Sequence, residues 1–124
     1  MAFADLHAYS QLWMYPYGYQ HGAPPNGDVL NAISKSMIDA VYDTYGTVFK
    51  YGPIADTIYE ASGSTVDYFL ETTGISCPFA AELRDTGRYG FLLPADQIVP
   101  TAEETYNAYK VMAFGIIEGL CDSK

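Results

Sequence analysis

The chain has 124 residues, a length that fits one domain, and its 15 acidic and 6 basic side chains leave a formal charge of −9. A surface this acidic repels phosphate backbones and argues against nucleic acid as a partner. Hydrophobic residues make up 49% of the chain, enough for a core. No apolar run reaches the roughly 18 residues that span a bilayer, which argues against a membrane partner.

Residues 2–7 read as a first strand and residues 11–15 as a second, stopped by Pro16-Tyr17-Gly18. A loop rich in Gly, Pro and Asn follows to Gly27. A helix is expected from Asp28, a good N-cap, with Val29, Ile33, Met37 and Val41 recurring every four residues. Leu30, Ile38 and Tyr42 widen this stripe, and Gly46 is placed to end it. Residues 49–51 form a short extended piece before Gly52-Pro53. Ser64-Thr65-Val66-Asp67 resembles a capping box opening a short helix that Gly74 closes. Residues 79–83 read as a buried strand interrupted by one acid, Glu82. Residues 86–90 are loop. Thr101 to Glu104 carries a second capping signature after Pro100, and the last helix runs from there toward Cys121, with Ala108, Met112 and Ile116 on one face.

Strands alternating with helices predict an α/β layer architecture in a single domain. The first strand starts at residue 2 with nothing before it to cover its edge, which suggests self-association through that edge. Cys77 and Cys121 make neither a disulfide framework nor a zinc-finger pattern; they either pair, stay free or lack their partners. No basic segment leads into an apolar stretch at the N-terminus, so no signal peptide is expected.

Two residues stand out chemically. His7 ends the first strand, where ligands collect in open α/β sheets, so it is a candidate metal ligand or acid/base group. The alternative is a hydrogen-bonded structural histidine. Glu82 lies within Phe79-Ala80-Ala81-Glu82-Leu83, where burial raises a carboxyl toward general-base values. Its alternative is an ion pair to Arg84 or Arg88. Arg84, Asp85 and Arg88 are read as an ion-pair network bracing the following loop. Tyr59, before the small-residue run 61–64, is placed to swing over a ligand, against the alternative of a packed surface tyrosine. No His-x-x-Glu, His-Glu-x-x-His, Gly-x-Ser-x-Gly or phosphate-cradling glycine loop is present, so these residues do not close a metal site.

Three stretches carry a resemblance: His7-Ala8-Tyr9-Ser10-Gln11 running into Tyr15-Pro16-Tyr17-Gly18-Tyr19; Lys50 to Ile54 with Thr57-Ile58-Tyr59-Glu60-Ala61-Ser62-Gly63; and Glu82 to Ala95. In order and spacing they resemble the second half of the catalytic domain of zinc metallocarboxypeptidases of the pancreatic carboxypeptidase A type. The resemblance implies a three-layer α/β/α fold with a mixed sheet, zinc as cofactor, and the C-termini of peptides or proteins as substrate. His7 matches a zinc ligand and Glu82 the base that activates the metal's water. Tyr59 matches a mobile tyrosine that closes over the substrate's terminal residue, and Tyr9 lines a further subsite. The terminal side chain's pocket is implied to be walled by Met14, Gly18, Ile54, Ile58, Ala61, Val66 and Ala80. Relatives that cut after Lys or Arg carry Asp at the position of Val66, so an apolar or aromatic terminal residue is expected here. Cis peptides are implied at Ala8-Tyr9, Pro16-Tyr17 and Arg84-Asp85. Ala8 replaces a common serine, Ala80 an occasional threonine, and one residue is added between Tyr59 and Glu82. The family's His-x-x-Glu pair, its carbonyl-polarising arginine and its carboxylate-gripping Asn-Arg pair lie in the other half of the domain. The expectation is therefore a chain that is inactive alone and does not retain zinc. The family is largely secreted, which implies an extracellular setting.

Overall fold

A computed structural model describes residues 1–122. The first strand, β1, covers Ala2–Ala8 and the second, β2, Leu12–Tyr15. Helix α1 spans Gly27–Tyr45, and strand β3, Lys50–Pro53, leads directly into the single turn α2, Ile54–Thr57. A second short helix, α3, Thr65–Tyr68, continues as a π-helical turn, Phe69–Thr73, that Gly74 closes. Strand β4 is Cys77–Leu83, and helix α4 is Ile98–Ile117.

The sheet order is β1-β4-β2-β3. The β1–β4 and β2–β3 pairs are parallel, while β2 runs antiparallel to β4, so the sheet is mixed. Alternation along each strand divides the side chains between two faces. Trp13, Tyr15, Cys77, Phe79 and Ala81 point to the main core, where they meet Leu30, Ile33, Met37 and Val41 of α1 and Ala108 of α4. Leu12, Met14 and Ala80 point the other way and pack with Phe3, Ile54 and Val66. The long helices thus cover one face and the short α2 and α3 the other, giving three layers.

Several boundaries depart from the sequence expectation. The N-cap of α1 is Asn26 rather than Asp28, and its side chain instead donates to the Ser76 carbonyl at 2.7 Å. Tyr42 is exposed, off the buried stripe. Gly46 does end α1, with φ +74 and its N–H on the Tyr42 carbonyl. Neither Ser64 nor Thr101 caps a helix through its side chain. Helix α4 begins three residues before Thr101, whose hydroxyl bonds the Gln97 carbonyl within the first turn. The two cysteines pair: Cys77 on β4 is joined to Cys121 after α4, closing a loop of 44 residues.

Glu104 is not the exposed acid of a capping box. It is fully buried, and Arg84 at the end of β4 forks onto it, Nε to Oε1 at 2.7 Å and Nη2 to Oε2 at 2.5 Å. The Thr47 hydroxyl donates to Glu104 at 2.6 Å, and Arg84 also donates to Thr47 and Gln97. One guanidinium therefore ties β4, the α1–β3 connection and the start of α4 together. Removing one partner leaves the other charge buried and uncompensated. Glu104→Ala is therefore expected to cost about 3–5 kcal/mol in urea melts, with Arg84→Met/Glu104→Leu recovering much of that loss; equal melting of the single variant and the parent would show the pair to be inert.

Candidate active-site rim

Parallel register places His7 of β1 directly opposite Glu82 of β4, and Leu12 of β2 faces Glu82 from the other side. Two residues 75 positions apart in the sequence thus become neighbours at the C-terminal ends of two parallel strands. Both point to the face that carries Met14, Val66 and Ala80.

Glu82 is half-buried and, among the described residues, its carboxyl has no hydrogen-bond or ion-pair partner. The expected alternative, a pair with Arg84 or Arg88, is excluded: Arg84 is committed to Glu104, and Arg88 lies over the Tyr89 ring at 5.2 Å. Burial is the main cause that pushes the Glu82 carboxyl above the ordinary range; the nearby His7 opposes it and Asp5 adds to it. His7 is half-exposed, with Nε2 3.1 Å from Asp5. The Thr65 hydroxyl bonds Asp5 and is the main cause holding that carboxyl low; burial works against it and His7 with it.

The loop after Glu82 is braced differently from the expected ion-pair network. Asp85 accepts from the backbone N–H groups of Gly87, Tyr89 and Gly90 at 2.8–3.1 Å. Burial opposes these three bonds, yet together they hold the carboxyl below its usual value. The loop wraps Tyr9, whose ring meets Phe91 edge-on at 5.1 Å. Gly90 is required here, because it sits at φ +58 and a Cβ on it would come within 3.0 Å of the Tyr9 ring.

The seven expected pocket residues fall in one region. Met14, Ile54 and Val66 are buried together with Ala80 beside them. The Gly18 carbonyl accepts from Ala61 N at 2.7 Å, and the Gly18 N–H donates to the buried Asp67. Ile58 closes the turn from Ile54 but is 39% exposed, at the edge of the group rather than in its wall. Tyr59 follows with 69% exposure. Sequence reading missed Asp67, which looked like a helix-start acid but clamps the Gly18 and Tyr19 N–H groups. It also missed Asp5, whose only signal is its place two residues before His7. His21 is not part of the rim: it pairs with Asp56 at 2.7 Å and approaches Glu60 at 3.5 Å. The cis peptides Ala8-Tyr9, Pro16-Tyr17 and Arg84-Asp85 are all present.

The family model described as Zinc carboxypeptidase matches residues 1–108. The chain belongs to the zinc carboxypeptidase family. It is 57% identical over 107 residues to carboxypeptidase A1 of Sus scrofa, covering 86% of this chain and 25% of that protein. It is 51% identical over 111 residues to a metallocarboxypeptidase A-like protein of Trichophyton verrucosum, covering 89% and 26%. The chain thus spans about a quarter of the length of the curated relatives it matches. Among solved structures, bovine thrombin-activatable fibrinolysis inhibitor in complex with tick carboxypeptidase inhibitor superposes with a TM-score of 0.91 at 29% identity, over 95% of this chain and 40% of that one. Carboxypeptidase A of Helicoverpa armigera gives a TM-score of 0.77 at 25% identity, over 91% and 29%.

The raised Glu82 carboxyl has a stability consequence with a definite sign. Folding favours its protonated form, so its contribution is complete at low pH and is lost as pH rises through the folded value. Glu82→Gln is expected to melt higher than the parent at pH 7, with the gain fading below about pH 4, where a free Glu is itself protonated. An identical gain at both pH values would refute the desolvation account.

Proposed function

We propose that the chain is the part of a carboxypeptidase A-type zinc enzyme that carries the water-activating base and the terminal side-chain pocket. The reaction is hydrolysis of the C-terminal peptide bond of a peptide or protein. The observation that carries this reading is the His7–Glu82 register, one imidazole beside one unpaired, partly desolvated carboxyl.

Zinc, when bound, polarises the scissile carbonyl and acidifies its water. The donor set fits only in part. Among the described residues, no three His, Cys, Asp or Glu side chains are grouped to hold a metal. His7 therefore serves as one ligand, and the other ligands must come from elsewhere in the protein. Glu82, without a competing hydrogen bond, takes a proton from the attacking water and hands it to the leaving amine. Val66 packs with Met14, Ile54 and Ala80 in a closed aliphatic cluster, with Gly18, Ala61 and Ile58 around it, and in this reading the terminal side chain packs against that cluster. Burying an apolar or aromatic group there is favourable, whereas an unpaired cation is costly. Tyr59, largely exposed between α2 and α3, is free of packing that would prevent it from closing over that residue. Tyr9 lines the next subsite. Consistent with an extracellular setting, the two cysteines are paired, and among the described residues no helix is long and apolar enough to cross a membrane.

A competing reading is a non-catalytic module that self-associates through β1, which lies at the sheet edge. A chimera separates the two, with this chain replacing its matching segment in the Sus scrofa enzyme. The chimera is expected to release C-terminal Phe or Leu from a blocked dipeptide, and Glu82→Gln to lower kcat by about 10²–10⁴. Val66→Asp is expected to shift preference toward C-terminal Lys or Arg. A folded but inactive chimera, with dimers of the parent chain in sedimentation, would favour the non-catalytic module.

A further inference from the structure

His21 lies in the loop between β2 and α1, away from the rim, and its ring stands between two carboxyls. Nδ1 is 2.7 Å from Asp56 Oδ1, and Nε2 is 3.5 Å from Glu60 Oε1. The Gly22 N–H donates to the other Asp56 oxygen at 3.3 Å, so Asp56 is tied to this loop twice and Glu60 once. Asp56 belongs to α2, and Glu60 directly follows Tyr59. Backbone bonds fix the turn carrying Tyr59 on either side: Ile58 N–H to the Ile54 carbonyl, and Ala61 N–H to the Gly18 carbonyl. Between those anchors, among the described residues, the contact with His21 is the only polar tie on the side chain of Tyr59 or Glu60. A carboxylate only accepts hydrogen bonds, so a ring nitrogen facing one must carry a proton. A neutral imidazole has one proton for its two nitrogens, whereas an imidazolium has one on each. Only the charged ring therefore satisfies both acids. Once neutral, the ring keeps its proton toward the nearer, doubly held Asp56, and Nε2 turns a lone pair on the Glu60 carboxylate.

We propose that His21 is a proton-dependent clasp on the Tyr59 turn: charged, it bridges Asp56 and Glu60; neutral, it keeps Asp56 and releases Glu60. Its consequence for substrate rests on reading Tyr59 as the residue that closes over the terminal side chain. Among the described residues, the charged groups acting on the ring are Asp56 and Glu60. The Asp56 hydrogen bond is the main cause that raises His21 above an ordinary imidazole; burial opposes it, and the Glu60 and Asp56 charges add to it. Because the folded value is raised, the clasp is complete below about pH 6.5 and is lost as pH rises through that folded value. Acid thus holds the turn back, and higher pH frees Tyr59 to travel. All three side chains are exposed, and exposed ion pairs are weak and screened by salt. The ratio of held to released turn is therefore expected to change about 2- to 5-fold rather than all-or-none.

The test follows the full isotopically labelled chain by NMR from about pH 5.5 to about pH 8.5, the range in which an imidazole changes charge. It reads the His21 ring nitrogens and the Cα order parameters of Tyr59 and Glu60. In the parent, order at both residues is expected to fall along the titration curve of His21 itself, and the fall is expected to shrink in about 1 M NaCl. His21→Ala is expected to leave the turn loose at both ends of the range. Glu60→Gln is expected to keep it held throughout, because the amide accepts from the charged ring and donates to the neutral one. If His21 titrates with no change in order at Tyr59 or Glu60, in the parent and in both variants, the clasp is overturned. In the chimera with the Sus scrofa enzyme, Tyr59→Ala is expected to raise KM for the blocked dipeptide. An unchanged KM beside an intact order transition would remove the substrate role of Tyr59 and leave the clasp standing.

Discussion

The molecule depends on the register of one parallel strand pair. β1 and β4 lie side by side from Ala2 and Cys77 to Ala8 and Leu83, and the seven paired positions bring an imidazole opposite a carboxyl. Strand side chains alternate with a period of two, so a slip of one residue would send His7 to face Ala81 or Leu83 and turn Glu82 away from it. Two devices hold the register from its ends. At the start, the disulfide ties Cys77 to the segment after α4, and the Met1 amino group donates to the Cys121 carbonyl at 3.0 Å. At the finish, the Leu83 carbonyl accepts from both Ser10 and Gln11, while Arg84 is locked onto buried Glu104. The polar rim is thus fixed by groups that do not themselves belong to it.

The two faces of the sheet divide the labour. The face under α1 and α4 is packed with Trp13, Phe79, Leu30 and Met37, all essentially without solvent contact, and supplies most of the hydrophobic stabilisation. The opposite face is thinner, covered by single-turn helices and by loops held through polar clamps. Asp67 gathers the Gly18 and Tyr19 N–H groups, and Asp85 gathers those of its own loop. Each clamp satisfies backbone donors that would otherwise be left stranded. Glu82 is the exception among these acids: it is partly desolvated and, among the described residues, without a donor. A folded protein keeps such a group at a cost to its stability.

Much of this was legible in the sequence, and the misses have physical causes. The four-residue spacing of Val29, Ile33, Met37 and Val41 reported α1 because one face of a helix must be apolar. Gly46 reported its end because a left-handed residue is needed there. The apolar run of residues 79–83, interrupted by Glu82, reported β4, which begins two residues earlier at Cys77, and the three motif stretches reported the family. Local reading failed where a side chain answers to a distant partner. Glu104 and Asp67 each sit three residues after a hydroxyl, as in a capping box, but their partners are Arg84 and Gly18. Asn26 displaced Asp28 at the helix start because its amide is called to Ser76. The cysteine pairing was undetermined because it depends on where α4 delivers Cys121. Asp5 carried no motif at all; its partners are His7 on its own strand and Thr65 at the start of α3.

The most direct test is the register itself. Long-range NOEs in the isotopically labelled chain should connect the backbone at His7 with that at Glu82, and the backbone at Asp5 with that at Ala80, together with contacts between the His7 ring and the Glu82 side chain. A pattern displaced by one residue, pairing His7 with Ala81 or Leu83 and separating the two polar side chains, would contradict the account.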